Sequence, residues 1–452
     1  MKSLRLILLF LPVVAFAKPF QIEIIDRENG WPVPLVQLTT THNLTFVTDN
    51  AGLIAIDSPE LMNRETWFTL SSDGYQLPAD GFGFHGFRAT PTPGGTHQIK
   101  VDRTIIAKRL GRLTGAGIFA ESQKLGKHLD WKESGIFGCD SVQTTIHRGK
   151  KFWTWGDSHL AHYPLGIFHM TSATTEPRPL KSFEPPLKLP LNYFRAPNKR
   201  PRPVAQLPGD GPTWLNGYLS LPDQNGATHL VATYSKIRNF LDVYQLGLCH
   251  WNEDTQNFDP FKVLWNHHPD SPKPPPAPEG HPVIHTHPDG QKWAYFGDPF
   301  PTLRVPATFE AWQDPAQWEH LKPQPQVPTI NGQEIKPHRG SITWNSFRKK
   351  WVTIFTQLNG KPSPLGELWY AEAQNPTGPW GPAIKILSHA TYTFYNPRIH
   401  PDLSPKGSPI LIFEGTYTTF FSKSPTKTPR YDYNQILYHL DLKDPALAPK
   451  TE

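Results

Sequence analysis

Cysteine, methionine, charge and long apolar runs are all scarce in this chain. Two cysteines, Cys139 and Cys249, among 452 residues are too few for a disulfide framework. They read as two buried thiols, with a single bridge as the alternative, so stability has to come from core burial. Charged residues make up 19% of the chain and the net charge is +6, without a Lys/Arg block of the kind that binds nucleic acid. The one basic stretch, Asn198-Lys199-Arg200-Pro201-Arg202, lies in a proline-rich loop and reads as solvated surface, so no nucleic-acid partner is expected. No segment reaches the roughly 18 apolar residues of a membrane helix, and no membrane span is expected. Only 37% of residues are hydrophobic and fifty are proline, a balance that also occurs in disordered chains. Those chains lack aromatics, whereas Trp, Tyr and Phe run through the whole of this one. The composition therefore points to a folded protein rich in turns and surface loops.

Residues 1–17 read as a signal peptide. Lys2 and Arg5 precede an apolar run from Leu6 to Phe16 that ends in the small-x-small site Ala15-Phe16-Ala17, and the run is too short for an anchor. The expected location is secreted or periplasmic. Residues 18–104 alternate with period two, as in Phe20-Gln21-Ile22-Glu23-Ile24, and carry turn signals at Asn29-Gly30 and Asp49-Asn50-Ala51-Gly52, the pattern of short half-buried strands. The strand Val33-Pro34-Leu35-Val36, the Thr48-Asp49…Gly52 turn and the Ser72-Asp73-Gly74-Tyr75 turn resemble the carboxypeptidase regulatory-like β-sandwich family. That resemblance implies a non-catalytic spacer or docking module. Residues 105–130 read as a connector, and 446–452 as a C-terminal tail.

Over residues 131–445 a repeat emerges. Five units each open on a small or polar stretch and run into an aromatic-rich strand, a turn and a further strand. The openings are Gly138-Cys139-Asp140-Ser141, Trp214-Leu215-Asn216-Gly217, Gly280-His281-Pro282-Val283, His338-Arg339-Gly340-Ser341 and Tyr395-Asn396-Pro397-Arg398. Such a unit cannot bury its own faces, and ringing the units around an axis does so. The fold class predicted is all-β, an N-terminal β-sandwich followed by a five-bladed β-propeller; an open array of sandwiches is the alternative. Proline-rich stretches at about 177–212, 268–280 and 322–337 would be excursions over the propeller faces.

Aligning the openings puts Asp140, Asn216, His281, His338 with Arg339, and Asn396 with Arg398 at equivalent positions, where a purely structural strand would carry Val or Ile. With Asp140, Trp155-Gly156-Asp157 and Tyr395-Asn396-Pro397, the repeats resemble the furanosidase-like glycoside hydrolases, the arabinanases and β-xylosidases. The resemblance implies an Asp at the first opening acting as base or nucleophile, which Asp140 matches, a second Asp tuning a pKa, and a Glu acid. Histidine and arginine at the later openings depart from that pattern. Glycoside cleavage needs two carboxyl groups on opposite sides of the scissile bond. Asp140 with Glu279 is the first candidate pair; Asp157, Glu367 and Glu414 are further acidic candidates. His281 and His338 could act as general acid or base, since histidine titrates near neutrality. His159, Asn216, Arg339, Asn396 and Arg398 are candidate substrate contacts, along with Trp155 and Tyr417, whose rings could stack on sugars. His281, His285 and His287 share a strand face and are the right ligand types for a metal, but at no recognised spacing, so neither metal nor cofactor is assigned.

Three functions stay open. One is a glycoside hydrolase, the next a non-catalytic propeller that binds carbohydrate or protein at the cell surface. The third is a polysaccharide lyase using His and Arg.

Overall fold

Alternating burial along Phe20–Asp26, with every second side chain inside, starts a small sandwich. The computed structural model describes residues 18–177, 179–180 and 184–448; the expected signal peptide lies outside the described residues. In the first sandwich sheet, Phe20–Asp26 lies between Leu53–Ile56 and a parallel partner, Thr96–Arg103, which pairs in turn with Tyr75–Gln76. The second sheet runs Thr45–Val47, Gln37–Thr40, Thr66–Ser71 and Gly86–Ala89. Ile22, Ile24, Leu38, Phe68 and Val101 fill the space between the two.

The remaining described residues form a β-propeller. Five four-stranded antiparallel sheets, numbered I to V here, follow one another along the sequence. Their first strands are Gln143–His147, Thr213–Pro222, Val283–Thr286, Pro337–Asn345 and Thr393–Ile399. Hydrogen bonds link each sheet to the next near these strands. Gln143 donates to Asn216 (3.3 Å), the Gly280 amide to Asn216 (2.8 Å), the Gly340 amide to Asp298 (2.5 Å), the Ile399 amide to Ser341 (2.8 Å), and Asn396 to Ser141 (2.5 Å). That sequence of contacts, I–II–III–IV–V–I, closes on itself. Five apolar clusters sit in the five gaps. Phe152 with Tyr218 and Leu230 fills I–II, Leu248 with Phe296 fills II–III, Phe300 with Phe355 fills III–IV, Tyr370 with Phe413 fills IV–V, and Trp153 with Ile412 and Leu437 fills V–I. Burial between sheets, and not within them, is what holds a ring of this kind together.

Two features depart from the sequence reading. Lys108–Arg112, inside the stretch read as connector, is the outermost strand of sheet V, paired with Asn434–Asp441. The segment that follows the sandwich thus completes the last sheet of the propeller. Ile136–Cys139, read as part of the first repeat, instead pairs with Ser158–Leu160 in a separate three-stranded sheet. Both cysteines are buried free thiols. No helix among the described residues is long and apolar enough to cross a membrane.

Candidate functional site in the central cavity

The chain enters each first strand with a polar side chain aimed at the axis, and these entries surround a cavity of about 510 Å³. Asp140, Asn216, His281, His338 with Arg339, and Asn396 all line it, one contribution from each sheet, as does Asp157. The volume lies in the range of small-ligand sites. Ser141 and Asn396 adopt left-handed backbone with φ of 51° and 52°, a conformation that costs non-glycine residues on the order of 1 kcal/mol and clusters at functional sites.

Asp140 is the most perturbed carboxyl of the cavity wall. Burial, aided by the charge of Asp157 and opposed by hydrogen bonds from Tyr395, Tyr433 and Ser141, raises its pKa to about 7. The Tyr395 hydroxyl donates to Asp140 Oδ2 at 2.7 Å. A Cβ at Gly156 would collide with Asp140 Oδ1, so the glycine of Trp155-Gly156-Asp157 makes room for the carboxyl group. Burial also raises the pKa of Asp157, opposed by the Trp214 indole N–H, which donates to Oδ1 at 3.0 Å.

A second acidic group sits on the opposite arc. Asp298 accepts from the Arg339 guanidinium (2.8 Å) and from the Gly340 amide. Its charge, with that of Glu279, holds the Arg339 pKa above the ordinary value. Glu279 stands next to Gly280, whose amide is bound by Asn216. Burial pushes the Glu279 pKa up, Arg339 pulls it down and Asp298 pushes it up again. Glu279 is coupled to the cavity through Arg339 and Asp298 without being part of its wall. His281 and His338 both lose basicity to burial, reinforced by the charge of Arg339, and each keeps a buried Nδ1 without a hydrogen-bond partner.

The other sequence candidates lie elsewhere. Trp155 is fully buried beside Trp153 between sheets V and I, and Tyr417 stacks on Tyr392 (4.2 Å between ring centres) in the IV–V core. Neither reaches the cavity. His159 stacks on Tyr433 and accepts the Leu165 amide on Nδ1 at 3.0 Å, outside the cavity wall. His285 and His287 part from His281, packing against Trp351 and Tyr295. Glu367 belongs to the 360–367 loop, its carboxyl set against Gly360.

Glu414 is fully buried in sheet V and does not line the cavity. Lys151, a donor only, bonds Nδ1 of His400 at 3.0 Å. The His400 tautomer is therefore Nε2–H, which donates to Glu414 Oε1 at 2.7 Å. Burial raises the Glu414 pKa to about 8, against the pull of Lys151 and Arg398. Arg398 pairs in register with Glu414 and reaches the Thr144 carbonyl at 3.4 Å. These groups form a polar core within the ring, off the cavity wall.

Asp298 was missed as a site residue. A signal was available, because Phe296-Gly297-Asp298 repeats Trp155-Gly156-Asp157 at the end of the second strand of its sheet.

No family model matches the chain, and no curated protein matches it. Among solved structures it is similar to an exo-1,5-α-L-arabinanase from a bovine ruminal metagenomic library, with 10% identity, 68% of this chain and 94% of the other covered, and a TM-score of 0.38. It is also similar to the Bacillus subtilis arabinanase Arb43A, at 11% identity over 67% and 93% of the two chains with a TM-score of 0.35. The α-L-arabinofuranosidase CtGH43 from Clostridium thermocellum gives 12% identity, 66% and 88% coverage, and a TM-score of 0.36. These are distant likenesses.

Proposed function

We propose that this protein is a glycoside hydrolase that binds carbohydrate in the central cavity of a five-bladed propeller. The observation that carries this reading is a pair of carboxyl groups in the cavity wall, Asp140 and Asp157, with environments that separate their proton affinities. Such separation marks the proton donor, and glycoside cleavage needs a further carboxylate on the other side of the bond. Asp140, protonated up to about pH 7, carries the proton for the leaving oxygen. Asp157 ionises first and tunes it. Asp298, which lines the cavity on the opposite arc and is held by Arg339, supplies the carboxylate for the other side of the sugar, with Glu279 behind the wall. Asn216, Asn396, His338 and Arg339 offer donors and acceptors to ring hydroxyls. The resemblance in sequence implied base or nucleophile for Asp140; its raised pKa favours the proton-carrying role.

The test is hydrolysis of a panel of nitrophenyl furanosides and pyranosides and of plant and bacterial polysaccharides. Asp140→Asn and Asp298→Asn are each expected to lower kcat at least 100-fold, in the range that general acid–base catalysis contributes, with the melting temperature retained. Full activity in both variants overturns the reading. Binding without cleavage is the second reading, favoured by neutral side chains at two successive sheet openings, Asn216 and a His281 held uncharged by burial. It predicts saturable glycan binding with no product from the unmodified protein.

The N-terminal sandwich fits a docked spacer of the carboxypeptidase regulatory-like kind. In support, Tyr431 donates to the Thr48 carbonyl at 2.8 Å and Asn50 to the Arg112 carbonyl at 2.9 Å, which ties it to the propeller through buried polar contacts. An export signal in residues 1–17 would place the protein outside the cytoplasm.

A further inference from the structure

The cavity wall is polar, but its mouth is not. Leu241 and Phe421 line the cavity together with Asp140 and Asn396, and each is adjacent in the chain to a second exposed apolar residue, Phe240 and Phe420. The pairs come from different sheets. Residues 239–241 form the turn between Thr228–Arg238 and Asp242–Asn252 of sheet II, and Phe420 and Phe421 follow Ile410–Thr418 of sheet V. All four are strongly exposed, Phe240 by 86%, Phe421 by 66%, Leu241 by 56% and Phe420 by 46%. Isolated exposed apolar residues are ordinary, whereas several around one opening mark a contact surface.

The backbone adds an independent sign. Asn239, Phe240 and Phe421 have left-handed φ angles of 46°, 76° and 60°, a conformation unfavourable for bulky side chains. Two turns on different sheets thus combine backbone strain with aromatic exposure at one opening. The sheet V turn is also braced. The Thr419 amide donates to Asp432 at 2.7 Å, and Phe420 packs edge-on against Tyr433 at 5.6 Å. Phe421 packs edge-on against Tyr395 at 6.1 Å between centres, and Tyr395 is the hydroxyl donor to Asp140. The apolar rim therefore lies one ring away from the carboxyl group that serves the leaving oxygen, where the group beyond that oxygen would emerge.

We infer that Phe240, Leu241, Phe420 and Phe421 hold the hydrophobic aglycone of an amphiphilic glycoconjugate, an alkyl or acyl chain attached to the sugar that fills the polar cavity. This rests on the carbohydrate reading of the cavity. A sugar stacks its C–H face on one aromatic ring and leaves Leu241 and the remaining apolar surface in water, while a hydrocarbon chain covers all four side chains.

The test compares binding of methyl and n-octyl glycosides matched in sugar, an arabinofuranoside, xyloside, galactoside and glucoside pair each, by calorimetry below the micelle concentration. At least one octyl member is expected to bind tenfold or more tightly than its methyl partner. In the double variant Phe240→Ser/Phe420→Ser, with the melting temperature unchanged, that ratio should fall below threefold. Asp140→Asn should keep the octyl preference, because the rim acts in binding alone. Equal affinities within every pair, a ratio unaltered in the double variant, or no binding by any member would overturn the inference. So would sedimentation with phosphatidylglycerol vesicles free of glycolipid that depends on the same two residues, since that would make the rim a bilayer contact. An octyl preference without cleavage of any glycoside would leave the rim standing and retire the hydrolase; cleavage without an octyl preference would do the reverse.

Discussion

At the scale of the residue, Asp140 shows how one position can serve function at the expense of stability. It holds its proton to about pH 7 in the folded chain, whereas an unfolded aspartate releases it near pH ~4. Between those values the folded state binds more protons, so the unfolding free energy falls as pH rises, and the loss is complete above about pH 7. Asn cannot ionise and escapes that cost. Asp140→Asn is therefore expected to be more stable than the unmodified protein at pH 8, by roughly 1–3 kcal/mol out of the ~4 that three pKa units represent, and no more stable at pH 4. Urea unfolding at the two pH values checks it, and an equal difference at both would contradict it. Asp157 acts on the same group. Its charge raises the Asp140 pKa, so Asp157→Asn should move the alkaline limb of kcat/KM, placed near pH 7 by Asp140, toward lower pH. A limb that stays in place would separate it from Asp140.

At the scale of the element, Lys108–Arg112 deserves the weight of a core strand although it follows a domain boundary. Leu110 is buried in the V–I cluster with Trp153 and Leu437. Arg109 is buried as well, donating to the Pro34 carbonyl at 2.9 Å, Ser72 at 3.1 Å and Tyr438 at 3.2 Å. It thus joins the Val33–Val36 stretch and the Ser72 turn of the sandwich to sheet V. Leu110→Ala should cost about 2–4 kcal/mol, as for other buried leucines, measured by chemical denaturation. A change under 0.5 kcal/mol would mean the strand is dispensable. The five sheets themselves hold by the same rule, since each gap is filled by side chains from both neighbours and no sheet has a core of its own.

At the scale of the whole molecule, the ring and the sandwich share a single closure. Sheet V takes its fourth strand from the segment that leaves the sandwich. Tyr431 and Asn50 add buried hydrogen bonds between the two parts. Calorimetry should therefore show one cooperative transition for residues 18–448, and a chain beginning at residue 113 should fail to fold, because sheet V would be left with an exposed edge and an open gap. Two resolved transitions, or a folded shortened chain, would show the sandwich to be an independent attachment.

Much of this was legible in the chain. Period-two alternation and turn residues define strands through local chemistry, so the all-β class and the repeats could be read directly. The alignment of repeat openings picked out Asp140, Asn216, His281, His338 and Asn396, which the ring brings to one cavity, because equivalent positions in a ring point to the same axis. Alternation gives a side chain's face but not its depth along that axis. For that reason Trp155 and Glu414 could not be told from cavity residues until the packing buried them, Trp155 against Trp153 and Glu414 under His400. Asp298 was passed over at the end of its strand, and its place in the wall is fixed by Arg339 reaching it from the next sheet. Lys108–Arg112 had no local mark of its partner, since its strand pairing spans more than 320 residues. Contacts of that range are decided by how the whole chain closes, and closure is a property of the tertiary structure alone.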